Sequence, residues 1–145
     1  MLMELHTQIM IRSTPAKVWS ILTDFPAYPS WNPFIISING RPAVGERLEV
    51  RMQPPDAARM TFKPKVTAFQ VNEKFQWLGH FIIPGIFDGE HTFALEAQPD
   101  GTVLFSQSEH FSGLFVAFFR KMLNDNTRRG FEAMNQKLKE RAERN

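Results

Sequence analysis

Alternation of apolar and polar side chains predicts seven strands along the chain. In the first, MELHTQIMIRS, every second side chain from Leu5 to Ile11 lies on one face. The other six are residues 34–38, GERLEVRMQ, ARMTFKPKVTAF, KFQWLGHFII, EHTFALEA and TVLFSQSEHF. Pro64 lies inside ARMTFKPKVTAF, and because proline cannot donate a hydrogen bond to a neighbouring strand, a bulge or an irregular edge is expected there.

Helical patterns occur in two places. In STPAKVWSILTDF, Thr14 suits the N-cap and Pro15 the first helical position, and the prolines that follow end this short helix. A long helix is predicted for residues 114–141, where an apolar stripe repeats at helical spacing. The stripe consists of Val116, Phe119, Leu123, Thr127, Phe131, Met134 and Leu138. The first turns, LFVAFF, are apolar nearly all round, so we expect that end to be buried or to line an opening.

The loop QPDGT predicts how the last two strands pair. Pro99 and Asp100 suit the centre of a type I turn, and Gly101 suits the left-handed position that closes a three-residue hairpin loop. In the resulting register, His91 lies directly opposite Glu109, on the face that also holds the apolar side chains. A two-residue turn would break the apolar matches between the strands, so the first register is preferred.

The predicted order is one strand, a helical pair, six antiparallel strands and one long helix, which is an α+β architecture. An antiparallel sheet with one apolar face needs a cover, and the C-terminal helix can provide it. A strongly curved sheet does not close everywhere against a single helix, so a cavity is expected between them. Its apolar walls are predicted to come from Met60, Phe62, Phe75, Trp77, Phe93, Phe105, Phe119 and Leu123. Aromatic side chains at a period of two are equally typical of an ordinary core, and both interpretations stay open.

His91, Glu109 and Gln107 are predicted to project from the apolar face into this cavity. A buried carboxylate costs much free energy unless a partner such as a facing imidazole compensates it. The pair is therefore a structural contact, a polar anchor for a ligand carbonyl or hydroxyl, or a general acid–base pair. His91 and Glu109 are the catalytic candidates if the protein is an enzyme, a question that the sequence leaves open. One His and one Glu are too few ligands for a metal site, and no cofactor is expected.

Composition narrows the class of protein. The chain has 145 residues, 43% of them hydrophobic, which predicts a single folded domain over residues 1–145. It contains no cysteine, which excludes disulfides, thiolate catalysis and cysteine-based zinc sites. No signal peptide is recognisable and the apolar clusters are too short to span a bilayer, so a cytoplasmic protein is expected. The basic residues of the C-terminal helix alternate with acidic ones, so nucleic acid is not expected as a partner.

Residues 11–35, with the sequence IRSTPAKVWSILTDFPAYPSWNPFI, contain a P-x-x-V-W helix start followed by a W-N-P-F motif. Together with FQWLGHFIIPGIFDGEHTF and SQSEHFSGLF, this stretch resembles the START-like (SRPBCC) superfamily, in particular its small bacterial stand-alone members of the polyketide cyclase/dehydrase type. The resemblance implies the helix-grip fold, in which a curved seven-stranded antiparallel sheet surrounds a long C-terminal helix and two short helices follow the first strand. It also implies an internal cavity for apolar or amphipathic ligands, since members include lipid carriers, hormone receptors and aromatic polyketide cyclases.

Three classes of function are consistent with these patterns. The first is binding of a small hydrophobic or amphipathic molecule, oriented by His91, Glu109 and Gln107. The second is a cyclase- or dehydratase-like enzyme that uses the His91–Glu109 pair for proton transfer in the same cavity. The third is an interaction module that contacts a protein or a membrane through its basic C-terminal helix and exposed phenylalanines. The apolar start of that helix is expected to form a lid over the cavity or, alternatively, a homodimer contact through Phe115, Phe118, Phe119 and Met122.

Overall fold

The computed structural model of the chain describes residues 2–81 and 83–144. The strands in this part are β1 (Leu2–Ile11), β2 (Ile35–Asn39), β3 (Glu49–Met52), β4 (Met60–Phe62), β5 (Lys65–Gln70), β6 (Lys74–His80), β7 (Asp88–Ala97) and β8 (Val103–Ser112). The helices are α1 (Pro15–Thr23), a 3₁₀ helix (Phe25–Ser30), α2 (Val116–Met122), a π-helical segment (Leu123–Thr127) and α3 (Arg128–Ala142). The last three run on without a break, so the α+β class and the long C-terminal helix are confirmed.

The strands form two antiparallel sheets that are joined at one place. One sheet has the order β1-β8-β7-β6-β5 and the other the order β2-β3-β4. The segment before β3 joins them, because Leu48 N donates to Pro64 O at 2.9 Å and Val66 N donates to Glu46 O at 2.9 Å. The long helix then packs against β1 and β8 of the five-stranded sheet and against α1.

The segment ARMTFKPKVTAF does not form one strand, so that prediction is wrong. β4 ends at Phe62, β5 begins at Lys65, and the two strands pair with different neighbours, β3 and β6. Pro64 lies at the break, and because it has no N–H to donate, the ladder ends there and the chain passes to the other sheet. The described residues therefore contain eight strands instead of the predicted seven.

The apolar stripe of the long helix faces the protein interior, as predicted. The residues Val116, Leu123, Thr127, Phe131, Met134 and Leu138 are buried, and Phe119 is half-buried. Three successive steps of four residues, from Phe119 to Phe131, would drift by roughly 120° around an ideal α-helix. The π-helical segment lies inside this stretch, and its wider turn returns the side chains to the sheet-facing side.

The long helix comes close to the start of β2 at Gly130. A Cβ added to Gly130 would lie 2.4 Å from the Phe34 ring, so only glycine allows this approach. Phe34 packs against the ring of Phe131, with a centroid distance of 5.4 Å. The backbone at this corner is held by Asn32, whose Oδ1 accepts hydrogen bonds from the N–H groups of Phe34 and Ile35, both at 2.9 Å. These contacts place Phe131 over β7, where its ring also reaches the candidate polar pair.

Candidate functional site

The predicted register of the last hairpin is confirmed, and it brings His91 and Glu109 together. They are directly paired residues of β7 and β8. His91 Nδ1 lies 2.9 Å from Glu109 Oε1, and the two side chains are only 0% and 5% exposed. The rings of Trp77, Phe93 and Phe131 lie with their centroids 4.6–5.0 Å from the imidazole. The pair is therefore enclosed in an apolar environment, where water screens its charges only weakly.

A chain of buried polar groups continues from the other side of the imidazole. His91 Nε2 lies 2.9 Å from Gln107 Oε1, and Gln107 Nε2 donates to Asn135 Oδ1 at 2.7 Å. Asn135 Nδ2 donates to Thr7 Oγ1 at 2.9 Å, and the Thr7 hydroxyl donates to the backbone carbonyl oxygen of Gln107 at 2.8 Å. Since β1, β7, β8 and α3 all contribute, the network depends on the packing of four elements.

The hydrogen bond from the Thr7 hydroxyl to the backbone carbonyl of Gln107 determines the direction of the other hydrogen bonds in this network. A backbone carbonyl can only accept, so the Thr7 hydroxyl proton points to Gln107 O and the Thr7 oxygen accepts from Asn135. That orients the Asn135 amide, which in turn orients the Gln107 amide with Oε1 toward His91. A second backbone carbonyl, that of Phe131, lies 3.4 Å from Gln107 Nε2 and favours the same orientation. His91 therefore has a proton on Nε2, which it donates to Gln107.

One further proton lies between His91 Nδ1 and Glu109 Oε1. Two lone pairs cannot form the observed 2.9 Å contact, so either an imidazolium donates to a carboxylate or a carboxylic acid donates to neutral Nδ1. An additional proton would leave a net positive charge buried among aromatic rings, which is costly. In both of the remaining forms the pair has no net charge, and the shared proton lies in the contact between the two side chains.

A cavity of about 470 Å³ lies between the start of the long helix and the loops that follow β3 and β6. Its lining is almost entirely apolar and consists of Pro54, Ala57, Ala58, Met60, Thr61, Phe81, Phe87, Phe119 and Met122. An inner chamber of about 20 Å³ adjoins it and shares part of this lining. The chamber is lined by Met52, Met60, Phe81, Phe87, Glu109, Phe111, Met122, Leu123 and Thr127. The Glu109 carboxyl group therefore lies at the inner end of the cavity, with His91 behind it.

Glycine at position 89 makes room for this carboxyl group. A Cβ added to Gly89 would lie 2.1 Å from Glu109 Oε2, which is far inside van der Waals contact. The φ angle of Gly89 is not among the positive ones, so glycine is needed here for space and not for its backbone conformation. The glycine at position 89 of the neighbouring strand is thus a sequence feature that accompanies the buried carboxyl group of Glu109.

Hydrogen bonds from the long helix hold the loop between β3 and β4 over the cavity. Asn126 Nδ2 donates to Pro55 O at 2.8 Å, and both terminal nitrogens of Arg129 donate to Asp56 Oδ2 at 3.2 Å. Asp125 orients the guanidinium, with its Oδ1 2.9 Å from Arg129 Nε. The hydrogen bonds to Asp125 and then to Asp56 raise the pKa of Arg129 above its ordinary value. This side of the cavity is therefore held by polar contacts.

A family model described as polyketide cyclase / dehydrase and lipid transport matches residues 3–143. The chain belongs to this family. No curated protein sequence is significantly similar to the chain. The resemblance noted in the W-N-P-F region is confirmed by this match, which extends over nearly the whole chain.

Solved structures of several proteins share the fold of this family member. The Zhui aromatase/cyclase from a Streptomyces species aligns with a TM-score of 0.81 and 12% identity, covering 99% of this chain and 95% of that one. Truncated norcoclaurine synthase from Thalictrum flavum aligns with a TM-score of 0.75 and 11% identity, covering 100% and 96%. The di-domain ARO/CYC protein BexL aligns with a TM-score of 0.79 and 14% identity over 99% of this chain, which spans only 51% of BexL. Similarity at these identities shows the helix-grip fold alone.

Within this family fold, the predicted site residues lie in three places. Met60, Phe119, Leu123 and Glu109 line the cavity or its inner chamber. His91 and Gln107 lie behind Glu109, in the polar network. The remaining expected wall residues are buried in the core and absent from both linings: Phe62, Phe75, Trp77, Phe93 and Phe105. They fill the space by packing against one another, as the edge-to-face contact between the rings of Phe75 and Trp77 shows, with a centroid distance of 5.5 Å.

Much of the cavity lining was missed because it comes from loops. Pro54, Ala57 and Ala58 lie between β3 and β4, and Phe87 ends the loop before β7. One signal was available in the segment FIIPGIF, which is too apolar for a fully exposed loop. Thr127 was predicted as part of the helix stripe and not as a cavity residue.

The start of the long helix lies beside the opening of the cavity. Phe119 and Met122 line the cavity. Leu114, Phe115 and Phe118 are instead 77%, 44% and 82% exposed. The prediction that this end lines an opening is therefore consistent with the structure, which leaves an apolar surface next to it.

Among residues 2–81 and 83–144, no group of three or more His, Cys, Asp or Glu side chains is arranged to hold a metal ion. No helix in the same part of the chain is both long and apolar enough to cross a membrane.

Proposed function

We propose that this protein binds a small hydrophobic or amphipathic molecule in the cavity, with the polar end of the molecule at Glu109. The strongest support is that the lining of the cavity changes from apolar at its walls to polar at its inner end. Its walls are apolar, and its inner end has one carboxyl group paired with a buried imidazole. Apolar walls provide affinity through burial, and a single polar group fixes the orientation. The volume of about 470 Å³ lies within the range of pockets that bind small organic molecules.

The family and its structural neighbours support the same class of ligand. The family description joins polyketide cyclisation or dehydration with lipid transport, and lipids are molecules with large apolar parts. An aromatase/cyclase and norcoclaurine synthase share the fold. An aromatic or aliphatic molecule that enters with its apolar body in the cavity agrees with these functions.

Calorimetric titration with naphthalene and 2-naphthol tests this proposal. Ala57→Trp places an indole inside the cavity and should weaken the binding of both probes by about 10-fold or more, because the filled space no longer buries the ligand. Ala16→Trp is the matched control, since residue 16 is exposed on α1. The proposal is rejected if neither probe binds, or if a folded Ala57→Trp variant binds as tightly as the wild type.

Catalysis by a cyclase- or dehydratase-like enzyme is the second candidate function, and the proton shared by His91 and Glu109 favours it. Glu109 reaches the cavity, so it is the group that would take a proton from a substrate. The pair would then have a net positive charge, and the network behind His91 ends at a backbone carbonyl, which cannot accept the proton. The proton must therefore return to the same substrate. Dehydration and aldol-type cyclisation meet this requirement, because a proton taken from carbon ends on the departing hydroxide or on the new alkoxide oxygen.

Deuterium exchange distinguishes this enzyme from a passive carrier. An acetylnaphthalene probe has methyl protons next to its carbonyl, and a general base at Glu109 should exchange them with D₂O when the probe is bound. NMR should show faster loss of the methyl signal with wild-type protein than with Glu109→Gln. If the wild-type protein binds the probe without accelerating the exchange, the acid–base role is rejected and the binding function stands.

Two finer parts of the proposal concern where the protein acts and whether it self-associates. We propose a cytoplasmic ligand carrier or enzyme, in keeping with a chain that has no cysteine. We also propose that the exposed side chains of Leu114, Phe115 and Phe118 form a contact between two copies. Sedimentation velocity should then show a dimer for the wild type and a monomer for Phe118→Ser, whereas a monomeric wild type would reject the contact.

A further inference from the structure

The inner chamber of the cavity has two polar side chains, Glu109 and Thr127, in an otherwise apolar lining. Its volume of about 20 Å³ is room for one group of the size of an oxygen atom with its hydrogen. Met60 and Phe87 are among the side chains that it shares with the main cavity. The end of a bound molecule can therefore enter the chamber while its apolar body stays in the larger space.

Thr127 is one of the residues that line the chamber, and its hydroxyl group lacks a partner among the described residues. The residue is 5% exposed, and its Oγ1 makes no hydrogen bond to any of the described residues. Threonine hydroxyls inside helices usually bond to the carbonyl one turn earlier. Thr127 ends the π-helical segment, whose wider turn shifts the carbonyls that would accept this bond. Because an unpaired buried hydroxyl is costly, this side chain points to a partner that comes from the ligand.

Glu109 offers the second polar atom of the chamber. His91 engages Oε1 at 2.9 Å, which leaves Oε2 as the oxygen available to a ligand. The shared proton of the pair lies between Oε1 and Nδ1. Oε2 is therefore a carboxylate oxygen in one form of the pair and the carbonyl oxygen of an acid in the other. In both forms it can only accept a hydrogen bond.

We propose that the chamber binds the hydroxyl group of an apolar alcohol or phenol, which donates to Glu109 Oε2 and accepts from the Thr127 hydroxyl. A hydroxyl is the smallest group that both donates and accepts, and it fits the volume of the chamber. The inference rests on the proposed function, since it names the class of molecule that the cavity takes. It also assigns the orientation of that molecule, with the hydroxyl innermost.

Other polar groups of similar size are disfavoured by the same two atoms. A carbonyl or carboxylate oxygen would face Oε2 with a lone pair against a lone pair. An ammonium group can donate to both Oε2 and Thr127, but it adds a positive charge beside a pair that has no net charge, and such a charge is costly when buried. An ether oxygen cannot donate, and its second carbon exceeds the space.

Matched naphthalene probes test this inference by calorimetric titration at neutral pH. We expect 2-naphthol to bind wild-type protein about 10-fold more tightly than naphthalene, because it gains two hydrogen bonds to buried groups. 2-Naphthaldehyde, which can only accept, should bind no more tightly than naphthalene. Thr127→Val should reduce the preference for 2-naphthol over naphthalene to about 3-fold. This variant keeps the side-chain shape and breaks no hydrogen bond of the free protein, so it should fold.

The control variant is Thr67→Val, which removes a hydroxyl from the exposed face of β5 and should leave the 10-fold preference intact. Equal binding of naphthalene and 2-naphthol to the wild type overturns the hydroxyl site, and so does an undiminished preference in Thr127→Val. If both probes bind equally and Ala57→Trp weakens both, the proposed function stands without this inference. If neither probe binds, both proposals fall.

Discussion

Replacing Thr7 by valine should destabilise the protein by about 2 kcal/mol, although the two side chains have nearly the same shape. The hydroxyl donates to Gln107 O at 2.8 Å and accepts from Asn135 Nδ2 at 2.9 Å, and both hydrogen bonds are lost. Asn135 is 2% exposed, so its Nδ2 then has no water to replace the lost acceptor. A buried donor without a partner costs about 1–3 kcal/mol, which sets the expected size of the effect.

The same substitution should also change the protonation of His91. Thr7 is the member of the network that bonds to a fixed acceptor, and the amides of Asn135 and Gln107 take their orientation from it. Without Thr7 the Asn135 amide can turn over, and only the longer 3.4 Å contact with Phe131 O then holds the Gln107 amide, so Gln107 can present either an acceptor or a donor to the imidazole. Nitrogen NMR of the ring should show a proton on His91 Nε2 in the wild type and a mixture of protonation patterns in Thr7→Val.

Urea unfolding measures the stability change, with an unchanged slope as evidence that the compactness of the two states is preserved. Asn135→Leu and the double variant complete a cycle, and the double variant should lose about 1 kcal/mol less than the sum of the single changes. Thr67→Val on the surface should stay within about 0.5 kcal/mol of the wild type. A loss below about 0.5 kcal/mol for Thr7→Val, or additive losses in the cycle, would show that this network is not oriented as inferred.

Three further predictions test the surroundings of the site. Gly89→Ala should cost about 1–3 kcal/mol in urea unfolding and abolish the preference for 2-naphthol, because the new methyl group displaces the Glu109 carboxyl; an unaffected preference would contradict this. Arg129→Met removes the hydrogen bonds between the long helix and Asp56 in the loop between β3 and β4. Stopped-flow measurements should then show several-fold faster dissociation of 2-naphthol, and an unchanged rate would show that these contacts are not a barrier. A hydrogen bond from Lys139, followed by one from a backbone N–H, lowers the pKa of Glu143. This carboxylate therefore stabilises the fold above the ordinary glutamate pKa, and the contribution is lost as the pH falls through the lower folded value. Glu143→Gln should remove that part of the pH dependence, and a wild-type acid-unfolding curve would contradict the assignment.

The pairing of His91 with Glu109 could be predicted from the sequence because hairpin register is a local property. The loop QPDGT closes as expected, with Gly101 at a φ of 87° and Gln98 N bonded to Thr102 O at 2.8 Å. Once the turn type is known, the two-residue period of the strands assigns every side chain to a face. A one-residue error in the turn would have separated His91 from Glu109.

Which strand pairs with which could not be predicted in the same way, because this does not depend on a single short turn. Pro64 was recognised as an irregular position, but nothing near it shows that β4 pairs with β3 and β5 with β6. The polar network could not be predicted either, since Thr7 and Asn135 are far apart in the chain and neither stands out in the pattern of its own strand or helix. Their hydrogen bond exists only because α3 crosses β1 and β8 at this level.

The sequence by itself determined the class of fold, the register of the last hairpin and the face on which the polar pair lies. All three depend on periodicity and turn chemistry, which act over a few residues. The tertiary structure decided which part of that face is filled and which part is open. Phe131 packs on the sheet over His91, whereas the start of the helix leaves a cavity beside Phe81 and the two loops. Which part of the face is filled depends on where the helix meets the sheet. Contacts such as that of Gly130 with Phe34 determine this position. These residues are far apart in the chain, so no local sequence pattern connects them.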